Sequence, residues 1–244
     1  MILPNVRESI GSDDEAWLLR ILSERDSRRE GYWSCALAET GIDALLDDRR
    51  SLEAILDQPP LDPVSPGLVL YVMLRHALLA HAIDSRVLAD YVTALVLEFG
   101  QGRRSFRIAE HDDKEYYYLV DIVRDLGEAT GRRAFLLRAH LGNFALWLSG
   151  LFPDHVVHRV RRKGAPGMDY YEEMGQCGYL MAADDPHACH ESLAALYRDA
   201  AETFRPVRRA LNAFSDQYVL PMPASPVDRL IRQAESDFQR RLDA

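Results

Sequence analysis

Apolar residues along this chain recur at intervals of three and four, and no sustained alternation of apolar and polar positions appears. Recurrence of that kind marks helices with one buried face, whereas alternation would mark strands. Ser12-Asp13-Asp14-Glu15 has capping-box spacing and opens a helix with Trp17, Leu18, Ile21 and Leu22 on one face. Further helices are predicted over 32–46 and 51–56. Pro59, Pro60, Pro63 and Pro66 then interrupt the pattern. Proline has no amide donor and cannot continue a helix, so this stretch reads as an extended connector. Ser65-Pro66 caps a helix running to about Ala82, apolar nearly all round, as a covered central helix should be. Asp84 or Ser85 starts the next, through Val87, Leu88, Tyr91, Val92, Leu95 and Val96 to Gly100.

Asp112-Asp113-Lys114-Glu115 repeats the capping pattern ahead of the stripe Tyr118, Leu119, Ile122, Val123 and Leu126. Gly131 separates that helix from a long apolar one ending near Leu151. After Pro153 the pattern is less regular until Pro166-Gly167-Met168-Asp169 opens a helix to about Ala183. Asp185-Pro186 places an acid at the N-cap and proline at the first helical position, a strong start signal. Arg205-Pro206 breaks or kinks that run, and Val207, Ala210, Leu211 and Phe214 form the stripe that follows. Pro221, Pro223 and Pro226 punctuate a second connector, after which Ser225 caps an amphipathic helix bearing Val227, Leu230, Ile231, Ala234, Phe238 and Leu242. The predicted fold is all-α, a multi-helix bundle of about eight to ten helices. Its expected parts are an N-terminal helical layer (1–58), a core (66–220) and a C-terminal helix (225–244), together one compact domain.

With 244 residues and 48% hydrophobic content the chain can bury a sizeable core. Its 29 basic and 38 acidic residues give a formal charge of −9, which repels a phosphate backbone and lowers the expectation of nucleic-acid binding. Cys35, Cys177 and Cys189 are odd in number and lack CxxC spacing, which suits reducing cytosol. The first residues have neither a basic region nor an apolar run of a secretory signal. The most apolar stretches, 67–83 and 136–152, are too short and too interrupted by Arg and His to span a bilayer. A cytoplasmic protein without a membrane segment is therefore expected.

Known catalytic patterns are missing. There is no GxSxG elbow, P-loop or GxGxxG, and no His-Glu-x-x-His. No Glu has His three residues later, as a di-iron bundle requires. His187, His190 and Glu191 put two imidazoles and a carboxylate on one short helical face, a weak metal candidate with nothing to complete a tetrahedral set. His111-Asp112 invites comparison with HD-type metal-dependent phosphohydrolases, with His81 as a further ligand, but a polar cap is the simpler role for Asp112. No cofactor is expected.

Two features remain. Arg75 and His76 interrupt one apolar helix, and Arg138, His140 and Asn143 another. Buried Arg and His need partners. They form either a structural network or, with Tyr170 and Tyr171, a pocket for a small anionic or aromatic ligand. Charge is also segregated. Residues 131–163 hold seven cations against Asp154 alone, and 164–204 hold eight acids against Arg198 alone. His158, Arg159, Arg161, Arg162 and Lys163 form the one basic strip. The following acids are expected either to neutralise it within the molecule or to meet it in a head-to-tail protein contact.

The segment Leu137-Arg-Ala-His-Leu-Gly-Asn-Phe-Ala-Leu-Trp-Leu-Ser-Gly-Leu-Phe-Pro153, with Gly164-Ala-Pro-Gly-Met-Asp-Tyr-Tyr-Glu-Glu-Met-Gly175, resembles a bacterial family of uncharacterised helical proteins. The resemblance implies a bacterial cytosolic helical protein and brings no activity or catalytic residue. The expected function is that of a non-catalytic interaction or regulatory protein that self-associates, with a protein partner preferred over nucleic acid. The alternative is a helical enzyme or small-ligand binder using the His/Arg/Tyr pocket, with HD-type phosphohydrolysis as a minor third.

Overall fold

Thirteen α-helices form among the residues that the computed structural model describes: 1–26, 30–57, 64–101 and 104–219. Residues 58–63 of the expected connector and the helix expected over 225–244 lie outside them. The N-terminal layer holds α1 (Ser12–Arg25), α2 (Glu30–Thr40), α3 (Ile42–Asp47) and α4 (Arg49–Asp57). Next come α5 (Pro66–Ala80), α6 (Arg86–Phe99) and α7 (Leu119–Leu126). The remainder is α8 (Gly131–Leu151), α9 (Pro153–Lys163), α10 (Met168–Ala183), α11 (Pro186–His190), α12 (Ala194–Glu202) and α13 (Phe204–Phe214), closed by a π-helical turn, Ser215–Val219. No strand occurs among the described residues, and the fold is an all-α multi-helix bundle. It is divided finely because the run expected over 32–46 splits at Gly41 and the run after Pro186 splits at Ser192. None of these helices is long and apolar enough to cross a membrane.

The centre of the bundle is α8, which packs against α10, α13, α7, α9 and α6. Phe135, Leu137, Leu141 and Phe144 on it are essentially inaccessible to solvent. Each such side chain contributes roughly 1.5–3 kcal/mol relative to exposure. Around it the buried residues form one hydrophobic cluster that runs from Ile2 to Phe214. Three of the predicted caps are present as side-chain hydrogen bonds. Ser65 accepts from the Leu68 amide at 3.1 Å, Ser85 from Leu88 at 3.3 Å, and Asp185 from His187 at 3.0 Å.

Three local expectations are corrected. Ser12 is the first residue of α1 and caps nothing; Gly11 is the N-cap. Asp14 reaches instead to the start of α5, accepting from the Ser65 amide at 2.9 Å and its hydroxyl at 2.7 Å. The helix predicted behind Asp112 starts only at Leu119, because the Asp112 carboxylate is occupied by the Lys114 amide at 2.8 Å and Arg133 at 2.7 Å. Finally, the stretch after Pro153 is a regular helix, α9. Pro153 suits its first turn, and Gly164 terminates it at φ 58°, a left-handed conformation that favours glycine.

Candidate functional site

His140 and Asn143 lie three residues apart on α8 and project from neighbouring positions of one face. Asn143 Oδ1 accepts two buried hydroxyls, from Tyr91 on α6 at 2.6 Å and from Tyr179 on α10 at 2.9 Å. Tyr197 on α12 completes the group, its ring stacked 5.9 Å from that of Tyr179 and edge-on to Tyr91. Burial raises the pKa of all three tyrosines, so each remains a neutral donor. His140 is enclosed by the rings of Phe99, Tyr116 and Phe144, and its Nε2 has no hydrogen-bond partner. Burial, reinforced by the Arg104 charge, pushes its pKa down to about 3, so the ring is neutral near pH 7. With Phe99, Arg104 and Leu136, these two residues border a cavity of about 10 Å³. Such a space has room for about one water molecule and none for an organic ligand.

The other expected pocket residues lie elsewhere. Arg75, 1% exposed, donates to Asp47 at 2.7 Å and to Asp84 at 2.5 Å. Burial alone would raise the Asp47 carboxyl, but hydrogen bonds from Arg75 and Arg86 hold it below the usual range. Arg138 pairs with Asp185, which also accepts from His187. Tyr170 and Tyr171 meet edge-to-face at the start of α10, with Tyr171 buried. The two arginines are thus held by carboxylates on different elements, and α13 packs against both α5 and α8. Of the predicted set, the structure places His140 with Asn143, and Tyr170 with Tyr171, and does not gather them into one pocket.

His76 lines a different space, a cleft of about 300 Å³ where α4, α5 and the end of α13 meet. Arg49, Met73, His81, Phe214 and Tyr218 share that lining. Of them, the sequence marked His81 as a candidate metal ligand and Phe214 as part of a helix stripe, and no others. Met73 at three residues before His76 is the readable signal, since both fall on one face of α5.

Among the described residues no group of three or more His, Cys, Asp or Glu side chains is arranged to hold a metal ion. His187 stacks on Phe135 with ring centres 5.7 Å apart and contacts Asp185, while Glu191 pairs with Arg132 at 2.5 Å. His190 is exposed.

The basic strip forms α9. His158, Arg161 and Arg162 are exposed, and none of the ion pairs among described residues joins Arg159, Arg161 or Arg162 to a carboxylate. Lys163 lies at the end of α9, with its side chain outside the described set. Among the described side chains, the following acidic block therefore does not neutralise Arg159, Arg161 or Arg162. Those acids have other partners: Glu172 binds Arg205 and Arg208, Asp184 binds Arg198, and Asp185 binds Arg138. Arg159 lies 4.8 Å from the ring centre of Tyr118, bringing the start of α7 beside α9. Tyr118, Val120 and Val160 are all exposed there. Comparison with protein-family models, curated proteins and solved structures finds no match to this chain. The resemblance read from 137–175 thus stays an expectation.

Proposed function

We propose that this chain is a non-catalytic interaction protein that self-associates head-to-tail through the face formed by α9 and the start of α7. One observation carries the reading: Arg161 and Arg162 of α9 stand exposed near exposed Tyr118, Val120 and Val160, with no ion pair among the described residues to the acids that follow them in sequence. On a chain of net charge −9, a cationic patch with aromatic and aliphatic neighbours selects an acidic protein surface. The molecule carries such a surface on α10, where Asp169, Glu173 and Leu180 are exposed along one stripe. A contact between two different faces of identical chains is heterologous and propagates into a ring or a filament.

Sedimentation velocity tests the reading. Wild type is expected to self-associate. The pairs Arg161→Glu with Arg162→Glu, and Asp169→Lys with Glu173→Lys, should each weaken association by at least about tenfold, since like charges then face each other. Mixing the two charge-reversed proteins should restore a complex. A wild type that stays monomeric across its soluble range overturns the reading, as does an oligomer that neither reversal changes.

A further inference from the structure

The cleft between α4, α5 and the end of α13 is a groove with one side of α5 as its floor. Met73, Ala77 and Ala80 are spaced four and three residues apart, so they share a face of that helix, and all three border the groove. Met73 and Ala77 are half-buried and Ala80 is exposed, whereas Tyr71 and Leu78 on the far side of α5 are inaccessible to solvent. Leu52 of α4 and Phe214 and Tyr218 at the other edge extend the apolar lining. Leu56, one turn on from Leu52, is 44% exposed. Among the described residues this face of an otherwise covered helix stays open, over a space of about 300 Å³.

The last described turn, Ser215–Val219, forms one wall of the groove through Gln217 and Tyr218, so the chain leaves the described residues beside the groove itself. Residues 220–244 follow. Their sequence predicts a helix capped by Ser225, with Val227, Leu230, Ile231, Ala234, Phe238 and Leu242 on one stripe and Arg229, Arg232, Ser236 and Arg240 on the opposite side. A helix of this kind draws its stability from packing the apolar stripe against something, because an isolated one is marginal in water. Six residues lead from Val219 to Ser225, a reach of about 20 Å when extended. A tether that short gives an effective concentration on the order of millimolar, well above that of a second copy in dilute solution.

We infer that the groove is the docking site of the C-terminal segment of the same chain, residues 225–244, whose apolar stripe seats on Leu52, Met73 and Ala77 and completes the cover of α5. Alanine at 77 and 80 suits a close crossing, since the distance between helix axes is set by the side chains at the contact. The attraction is the removal of two apolar faces from water and needs no charge on either side. The docking site is independent of the α9 face and would stand if self-association failed.

Photo-crosslinking of the full chain tests the site. With p-benzoylphenylalanine in place of Phe238, irradiation should join position 238 to residues 49–56 or 73–81 of the same chain, as mapped by mass spectrometry of the digest. Products confined to other residues, 213–218 included, overturn the assignment. So does a cross-link between two chains, which would make a second copy the occupant. Hydrogen exchange supplies the second measurement. Amides of 227–242 should exchange at least about tenfold more slowly than in an unstructured chain. Ala80→Arg with Ala213→Arg, both at exposed positions on the groove, should speed them by at least about tenfold while circular dichroism stays close to that of wild type. Unprotected amides in wild type overturn the site, as does protection that the paired substitution leaves intact. If that variant loses its fold, Leu230→Glu with Ile231→Glu serves instead. It should abolish the cross-link from position 238 to α4 and α5, and a cross-link that persists overturns the assignment.

Discussion

Gly178 on α10 faces Gly142 on α8 so closely that a Cβ placed on Gly178 would lie 2.7 Å from the Gly142 nitrogen and 3.0 Å from the Arg138 oxygen. Both obstacles are helix backbone, which cannot swing aside as a side chain can. The approach brings Tyr179 over α8, where its hydroxyl reaches Asn143. The two glycines therefore set the spacing on which the buried tyrosine network depends.

Gly178→Ala should push the two helices apart and destabilise the protein by about 1–3 kcal/mol, the usual cost of overpacking. Urea unfolding followed by circular dichroism measures it. Stability equal to wild type would mean that the helices can separate freely and that the close crossing is not required.

Asn143→Leu keeps the volume but leaves the hydroxyls of Tyr91 and Tyr179 buried without an acceptor. Each stranded hydroxyl costs about 1–3 kcal/mol. Adding Tyr91→Phe and Tyr179→Phe to Asn143→Leu should recover part of the loss, because no polar group is then stranded. A triple variant less stable than the single one would show that the hydroxyls have other acceptors.

Acid should weaken the fold through His140 before it reaches most carboxylates. The folded ring titrates near 3, against an ordinary value of 6.5, so the unfolded chain binds the proton first as pH falls. The contribution of neutral His140 is complete above about pH 6.5 and declines by up to about 1.4 kcal/mol per pH unit on the way down. His76, whose pKa burial also lowers, acts in the same direction. His140→Phe preserves the ring stack with Phe144 and should flatten the stability profile between pH 6.5 and 4.5. Parallel profiles for the two proteins would place the acid sensitivity elsewhere.

Arg75→Ala removes a guanidinium that is 1% exposed and takes one of two arginine partners from Asp47, which keeps Arg86, while Asp84 is exposed to solvent. A loss of about 1–3 kcal/mol is expected, because the hydrogen bonds of the buried guanidinium go while Asp47 keeps Arg86. Arg75→Lys should recover only part, because an ammonium lacks the planar fork that serves two carboxylates at once. Thermal unfolding ranks the three proteins, and an alanine variant as stable as wild type would contradict the pairing.

The helices that residue pattern predicts best are those whose signals are local. Ser65, Ser85 and Asp185 cap the helices they precede in sequence, and the apolar density of α5 and α8 matches their burial. Expectations failed where a distant partner outbid a local one. Ser12 and Asp112 look like cap residues, yet Ser12 falls inside α1 and the Asp112 carboxylate is taken by Arg133, 21 residues away. Arg75, His140 and Asn143 were rightly singled out as buried polar groups in need of partners. Their grouping was not legible, because periodicity orients a residue about its own helix and says nothing of which helix lies opposite. Tyr91 reads simply as part of the stripe on α6, and only the crossing with α8 turns it into a donor to Asn143.

The bond between Asp14 and Ser65 has a bearing on chain continuity. It ties the N-terminal layer to the first turn of α5 without using the covalent path through 58–63. Arg7 adds a second tie, its amide donating to Asp90 on α6 at 2.9 Å. Together with the shared hydrophobic cluster, these contacts predict that the peptide bonds at 58–63 are dispensable once folding is done. A protease site introduced at 58–63 and then cut should give two fragments that elute as one particle and separate only in denaturant. That outcome would make the N-terminal layer a subunit of its own chain.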